Sequence, residues 1–585
     1  MSNRLRLIHV SIYLGMVGLL GCQTAWAEVL PPIIEQKILE ANLSKDSVSM
    51  VVQPLGKQGE QGAFLPKLID YQADIPRTPA STQKLIPTFI ALDSLGKDFV
   101  WQTKLYQDGM LWQGTLYGDV IVQGSGDPKL DSAKVYQLLS MVKSHGIERI
   151  TGDLIINNRQ FRGVDFDINA FDGRGYRPYN AQPNALLTDF GTLKVELNPV
   201  AKPTAIPATT ASTTPTASPA TEANEPSVMP EGEDAGTANQ PTIKPNDIDH
   251  FTVTVTPKLA NYNAPTELAL SQAPCQAGAD KWIAEVTPTQ LQFSEMPSVH
   301  CGRQQRWLSF PNGDNMVKDM ITADWQQIMP QFTGKIRFAD TADLPPAKVN
   351  IPEAMPWYLR WYLKLTAKPT APKLIGYVAS NPLSEQIKDI NQHSNNVMTE
   401  QIALSLPLYI EGKKDIEGKK LANQNADSQN LDSQLTTPKG VSDYPKTFAV
   451  MNTWWQQHLP NATAPVMSRA SGLCRDCQVK PNSLLALLNF AYRSPNFDTY
   501  RNSMGVAGES GTIKALKWRQ PNNPAIGRAW IKTGTLDNVT SMAGYIQGQS
   551  GQWYAVVGMI NADNVKNNSQ AKAVLDEMLA WTAVK

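Results

Sequence analysis

Several things are scarce in this chain, and each scarcity excludes something. Charge of one sign is the first, since 53 basic and 53 acidic residues cancel to a net charge of +0. No long-range field therefore steers the protein to nucleic acid or to an anionic membrane, and a nucleic-acid role is set aside. Past the N-terminal leader there is no uncharged apolar run of the roughly 20 residues that a membrane-spanning helix needs. Histidine is sparse, with six in the chain, one of them (His9) inside the leader. With no Gly-x-Ser-x-Gly elbow either, His393 does not read as the base of a serine-histidine hydrolase, although it adjoins Ser394. Cysteine is sparse too, with five in the chain, and Cys22 falls in the leader.

What is present begins with an export signal: Arg4 and Arg6, an apolar stretch from Ile12 to Leu20, then small residues. Two processing sites compete. Ala25-Trp26-Ala27 places cleavage before Glu28, whereas Leu19-Leu20-Gly21-Cys22 resembles a lipobox that would acylate Cys22 and tether the chain to a membrane. Either removes Cys22 from the thiol count and leaves Cys275, Cys301, Cys474 and Cys477, an even number that suggests disulfides in an exported protein. Three connectivities are open, and the simplest keeps each pair local. Cys474-Arg475-Asp476-Cys477 also admits a redox motif or half a zinc site, without a second Cys-x-x-Cys to complete it.

At 585 residues the chain should divide into two to four domains. Residues 31–42 read as a helix, Ser47–Gln53 as a strand and Pro79–Leu95 as a second helix. Residues 100–123 read as a β-meander, Val135–Ser144 as an amphipathic helix and Ile150–Ile156 as a strand. From Pro199 to Asp247 the composition turns to Thr, Ala, Pro, Ser, Glu and Asn, an expected disordered linker, and residues 411–439 form a second polar insertion. Strands are expected at 251–256, at Trp282–Phe293 and Arg306–Phe310, and again at Arg528–Thr535, Ser541–Gln547 and Trp553–Ile560 before a closing helix over Asn567–Val584. An early and a late helix would then cover one face of an antiparallel sheet. Trp357, Trp361 and Tyr362 stand at helical spacing and read as core packing, with a substrate cleft as the alternative.

Chemistry enters with Pro79-Ala80-Ser81-Thr82-Gln83-Lys84 ahead of an apolar run. On a helix Ser81 and Lys84 share one rim, so the lysine can take the serine's proton. Ser-x-x-Lys alone is weak, because it recurs at Ser94–Lys97 and Ser140–Lys143. Two later motifs make it specific: Ser394-Asn395-Asn396 and Lys532-Thr533-Gly534. A lysine with an ordinary pKa of about 10.4 is a poor base at pH 7, so Lys84 must be shifted down, by burial near a second cation. Lowering it by about three pH units corresponds to about 4 kcal/mol. Lys532 is the natural second cation and can attract a substrate carboxylate, with the Thr533 hydroxyl assisting. Ser394 can relay a proton to the leaving amine, Asn396 can hold Lys84 and a substrate amide, and the backbone N-H groups of Ser81 and Thr535 can form an oxyanion hole. This chemistry calls for no metal and no cofactor.

Together these motifs resemble those of the DacB type of penicillin-binding protein, the D-alanyl-D-alanine carboxypeptidase/endopeptidase family of the bacterial periplasm. More than half the chain separates Ser81 from Ser394, as in a family whose acyl-transferase domain carries two inserted domains. Gly118-Asp119-Val120 leading to Gly124-Ser125-Gly126-Asp127-Pro128 resembles the family's Gly-rich Asp-Pro element. Ser468-Arg469-Ala470-Ser471-Gly472-Leu473 resembles its Asp-x-Ser-Gly-Leu segment, with Ala470 near where the acidic residue is expected. The resemblance implies an α+β fold of the serine β-lactamase/DD-peptidase type, an antiparallel sheet flanked by helices. Its expected parts are a leader over 1–27 (or to 21), acyl-transferase segments 28–95 and 351–585, and inserted domains over 96–350. It also implies peptidoglycan stem peptides and β-lactams as partners, a periplasmic location, and an aspartate near the substrate's diamino acid, for which Asp172 is the candidate. A β-lactamase and a catalytically silent peptidoglycan-binding protein are the rival readings.

Overall fold

The computed structural model describes residues 30–56, 65–203, 243–275, 285–346, 349–368, 371–422, 438 and 440–585. The leader, most of the 199–247 tract and most of the 411–439 insertion lie outside them. Helix α1 (Pro32–Glu40) opens with proline in its first turn and buries Ile34 and Ile38, one turn apart. Strand β1 (Val48–Pro54) is buried at six consecutive positions, as a strand covered on both faces must be, and pairs with β2 (Ile69–Tyr71). The expected helix over Pro79–Leu95 is two elements, a 3-10 turn (Ala80–Lys84) and then α2 (Leu85–Leu95). Pro87, in the first turn of α2, has no N-H to close an α-turn onto Gln83, and the chain before it is wound as the tighter 3-10 turn. Every residue of α2 from Leu85 to Leu92 is buried.

The next stretch builds two further sheets. Strands β3 (Gln102–Trp112) and β4 (Thr115–Gln123) form one long hairpin in place of the expected meander of short strands. Gly109 and Gly118, which look like turn residues, face each other mid-strand. A Cβ on Gly118 would lie 1.8 Å from the Asp108 carbonyl oxygen, so the glycines permit close approach of two backbones. Helix α3 (Ser132–Ser144), capped by Asp131, crosses to β5 (Arg149–Ile150) and β6 (Leu154–Asn157), both parallel to β4. The single strand expected over 150–156 is thus two, interrupted where the Asp119 carboxylate accepts the Asp153 backbone N-H at 2.7 Å. Strands β7 (Thr192–Ala201), β8 (Ile248–Thr256) and β9 (Glu267–Leu268) start a second sheet, and β7 continues through the first residues of the expected linker. The strand expected over 282–293 is, in its described part, a small hairpin of β10 (Glu285–Val286) and β11 (Leu291–Gln292). Strand β12 (Gln304–Ser309) completes the second sheet beside β7, near a Cys275–Cys301 disulfide. Helix α4 (Gly313–Ile328) shares a core with α3, and β13 (Ile336–Phe338) lies parallel to β6. Helix α5 (Trp357–Thr366) buries nothing, which overturns the core role expected of Trp357, Trp361 and Tyr362. Strand β14 (Lys373–Ala379) then pairs with β3, so the sheet closes past the boundary expected at 350.

Helix α6 (Leu383–His393) leads to α7 (Asn396–Ala422), which runs on into the expected polar insertion. Helices α8 (Tyr444–His458), α9 (Pro481–Arg493) and α10 (Phe497–Ser503), strand β15 (Gly505–Val506) and the short α11 (Leu516–Arg519) follow. Three strands, β16 (Ala529–Leu536), β17 (Val539–Gln547) and β18 (Trp553–Asn561), precede the closing helix α12 (Ser569–Ala583). They join the first strands in one antiparallel sheet of order β15-β16-β17-β18-β1-β2, so the two ends of the chain complete each other. Ile34 and Ile38 of α1 pack with Leu575 and Leu579 of α12 on one face, and Phe89 of α2, Leu404 of α7 and Leu488 of α9 cover the other. The fold is α+β. Among the described residues no helix is long and apolar enough to cross a membrane.

One half-buried acid makes the inserted region pH-sensitive. Burial raises Asp189 to about 7, with Asp131 and Asp324 nearby adding to the effect, although Ser132 donates to its carboxylate from backbone and hydroxyl. An unfolded aspartate ionises near 3.8, so from there to about 7 the unfolded chain gives up a proton that the folded chain keeps. Stability contributed by the protonated acid is complete below that window and declines as pH rises through it, at about 1.4 kcal/mol per pH unit. Asp189→Asn should lack this decline. Urea unfolding of both proteins at a series of pH values should show the variant gaining on wild type between pH 4 and 7 and the gap then holding constant; parallel curves would refute it.

Candidate active site

The 3-10 turn places Ser81 and Lys84 side by side at the start of a helix that is buried from Leu85 to Leu92. Lys84 has no solvent exposure, and its Nζ lies 2.8 Å from Ser81 Oγ, 2.6 Å from Asn396 Oδ1 and 2.7 Å from the Ser471 carbonyl oxygen. Three acceptors match the three protons of an ammonium. If Lys84 is neutral, the same positions let two N-H groups serve Asn396 and Ser471 while its lone pair faces the serine O-H. One arrangement therefore suits the lysine both before and after it takes the proton.

Ser394 caps α6 in the left-handed region (φ 61°), and Ala80, directly before Ser81, shares that conformation (φ 49°). Such backbone is sparsely populated for non-glycine residues and gathers at functional sites. Ser394 Oγ accepts from Lys532 Nζ at 2.9 Å, and Lys532 also donates to the Thr533 carbonyl at 2.9 Å. Burial holds His393 below its usual 6.5, and the positive charges of Lys129 and Lys532 push the same way against the opposing Asp389. Strand β16 runs close against the nucleophile turn: a Cβ on Gly534 would lie 2.8 Å from the Ser81 nitrogen and 2.4 Å from Ser541 Oγ. Ser541 faces Gly534 across the β16–β17 ladder and donates to the Pro79 carbonyl at 2.6 Å. Thr533 pairs its hydroxyl with that of Thr512 at 2.7 Å, and Thr535 is exposed.

The structure thus brings Ser81, Lys84, Ser394, Asn396, Lys532, Thr533 and Gly534 together. It does not deliver Asp172 to that cluster. The Asp172 carboxylate accepts from the Tyr179 hydroxyl at 2.5 Å, from Asn180 Nδ2 at 3.2 Å and from the Arg174 backbone at 3.1 Å. Its connection is indirect, because the Tyr179 carbonyl accepts from Asn396 Nδ2 at 3.1 Å.

The loop around Ala470 resolves the departure noted there. Glu400, buried on α7 one turn beyond Asn396, accepts the backbone N-H of Ala470 at 3.1 Å and of Ser471 at 2.9 Å. An acid from the helix thus holds the loop and aims the Ser471 carbonyl at Lys84. Cys474 and Cys477 are bonded to each other, so neither is available as a thiolate for zinc, and Ser468 Oγ donates to Asp476 at 2.7 Å beside them. A cavity of about 290 Å³ lies along this loop, lined among others by Phe171, Tyr179, Asn396, Glu400, Arg469 and Asp476. The Arg469 guanidinium sits 3.7 Å above the Phe166 ring and donates to the Tyr444 hydroxyl at 2.9 Å, closing one wall.

Sequence reasoning missed Glu400, Tyr179, Thr512 and Ser541, and it singled out the segment that holds Ser471 without giving that residue a role. Glu400 was within reach of helical spacing from Asn396, and Ser541 within reach of hairpin register from Gly534. Ser471 and Tyr179 act through carbonyl oxygens, which residue type does not signal.

A buried lysine shared by a serine and an asparagine, with a second lysine on an adjoining strand, defines a serine-type acyl-transferase on a DD-peptidase fold. The sequence profile of the D-Ala-D-Ala carboxypeptidase 3 (S13) family matches residues 33–290 and 440–585, and the chain belongs to that family of serine DD-peptidases. Ser394 and Asn396 fall between the matched ranges, so their place beside Lys532 and Lys84 is seen in the geometry. The chain is 22% identical over 523 residues to D-alanyl-D-alanine carboxypeptidase DacB of Haemophilus influenzae, covering 88% of each. It is 21% identical over 487 residues to D-alanyl-D-alanine carboxypeptidase of Actinomadura sp. strain R39, covering 81% of this chain and 71% of that one. The crystal structure of penicillin binding protein 4 (dacB) from Haemophilus influenzae matches the fold with a TM-score of 0.60 at 17% identity, over 93% of this chain and 99% of the other.

Glu400→Ala leaves two buried backbone donors without their acceptor, which should cost about 2 kcal/mol. Hydrogen-exchange mass spectrometry should show the amides of Ala470 and Ser471 exchanging at least about tenfold faster. Unchanged protection would dismiss the anchoring role.

Proposed function

We propose that Ser81 is the nucleophile of a periplasmic peptidase that cleaves D-Ala-D-Ala termini, D-alanyl cross-links of peptidoglycan, or both, and that β-lactams acylate the same oxygen. The observation that carries this reading is the cage around Lys84, which holds its Nζ 2.8 Å from Ser81 Oγ, where the neutral amine is the proton acceptor. In the forward step Ser81 Oγ bonds to the substrate carbonyl carbon while its proton passes to Lys84. The C-N bond then breaks, and the departing amine receives, through Ser394, the proton that Lys84 took from Ser81, which leaves Lys84 neutral again. Water reverses the sequence, bonding to the acyl carbon, giving its proton to Lys84 and releasing Ser81. Lys532 and the Thr533 hydroxyl take the substrate's terminal carboxylate, and the N-H groups of Ser81 and Thr535 receive the oxyanion. Asn396 holds Lys84, and Asp172 enters this reading by fixing Tyr179, whose carbonyl holds Asn396 in turn. The leader directs export, with acylation at Cys22 as the alternative to cleavage before Glu28.

Fluorescent penicillin should label the protein stably and not label Ser81→Ala. Gly534→Ala should fold yet acylate at least about a hundredfold more slowly, since its Cβ would displace the Ser81 backbone and misplace the nucleophile. Rapid loss of label would instead mark a β-lactamase, and no label on a folded protein would sink the enzyme reading. Pentapeptide and cross-linked muropeptides then separate carboxypeptidase from endopeptidase action.

A further inference from the structure

Helix α5, with the sequence WYLRWYLKLT, has no buried residue, and none of its apolar side chains joins a hydrophobic core cluster of the described residues. Leu359, Arg360 and Leu363 form its half-buried side. The rest of its apolar surface faces solvent: Trp357 is 78% exposed, Trp361 63% and Leu365 66%, with Tyr358 and Tyr362 also exposed between them. A contiguous exposed apolar face of this kind marks an interaction site. Charge indicates the partner. From Ala354 to Ser384 the chain carries Arg360, Lys364, Lys368 and Lys373 and no acidic residue, a local excess hidden within a net charge of +0. Lys364, Lys368 and Lys373 are exposed.

We propose that α5 rests on the surface of an anionic phospholipid membrane. Tryptophan and tyrosine favour the headgroup region, where the ring is in hydrocarbon and its N-H or O-H is wet. Lysine and arginine beside such a face add attraction to anionic lipid, and the two together are the mark of a helix that lies in the interface plane. A glycan strand is a poorer fit to the same face. Sugar rings stack on flat, shared aromatic surfaces, whereas Trp357 and Tyr358 stand edge to face, 90° apart with centroids at 6.1 Å. Leu365 also offers a sugar nothing to stack on. Two or three turns of helix give a weak, reversible contact, independent of the chemistry at Ser81.

The test uses the chain from Glu28 onward, which keeps every described residue and removes the leader as a competing anchor. It should co-sediment with phosphatidylglycerol-containing vesicles, not with pure phosphatidylcholine vesicles, and rising salt should weaken binding. Trp357→Ala with Trp361→Ala, and separately Lys364→Glu with Lys368→Glu, should each lower the partition coefficient about tenfold. Circular dichroism and thermal unfolding of these variants should match wild type, because the replaced side chains are exposed. Failure to bind anionic vesicles, or binding indifferent to both double variants, would overturn the proposal. So would light scattering that shows the aromatic variant dissolving a dimer, or aromatic-dependent binding to purified glycan strands in place of vesicles.

Discussion

Everything at this site turns on keeping a lysine amine buried beside a serine hydroxyl. An ammonium withdrawn from water is expensive, several kcal/mol even after relaxation, unless each proton finds an acceptor. Lys84 finds three, and no two belong to the same element: the serine of its own turn, an asparagine of α7 and a loop carbonyl. Hydrogen bonds to charged groups are worth about 1.5–3 kcal/mol each, so the cage offsets the burial only while all three parts stay in register. The fold can be understood as the means of holding them there.

That constraint explains features that otherwise look unrelated. Gly534 is a glycine because β16 passes too near Ser81 for any side chain, and Ser541 fills the remaining space while bonding to the Pro79 carbonyl. Gly472, at φ 80°, stands so close to Ala80 that a Cβ would lie 2.0 Å from the Ala80 carbonyl oxygen. Loop, turn and strand meet backbone to backbone. Such contacts are rigid, which is what a reaction sensitive to small misplacements of its groups requires.

Legibility in the sequence follows the same division. Ser81, Lys84, Ser394, Asn396 and Lys532 could be found because side chains carry their chemistry, and β16–β18 because short strand-like segments bounded by turns leave one reading. The carbonyls of Ser471 and Tyr179 left no trace in residue type. Glu400 was hidden because the acid that steadies the loop comes from a helix and not from the loop itself, where Ala470 stands. The β-meander expected over 100–123 is one hairpin for a physical reason: glycine, here Gly109 and Gly118, suits a turn and a close crossing of strands alike. The aromatic spacing of α5 misled because periodicity shows that a helix has an apolar face and does not say what covers it.

Helix α7 ties the inserted region to the chemistry. One of its stripes, Asn396 and Glu400, reaches Lys84 and the Ser471 loop. The adjoining stripe, Gln401, Ser405 and Tyr409, is spent on the inserted region: Gln401 exchanges hydrogen bonds with the Asn184 backbone at 3.0 and 2.9 Å, Ser405 accepts from Trp101 Nε1 at 3.0 Å, and Tyr409 donates to the Ser125 carbonyl at 2.6 Å. All of these groups are buried, so neither stripe can let go without leaving polar atoms unpaired. Tyr179 adds a second tie by accepting directly from Asn396. The inserted sheets are therefore not appendages hung on a finished catalytic unit. They fix the helix that fixes the lysine, and a chain without them would lose part of the cage that keeps Lys84 buried.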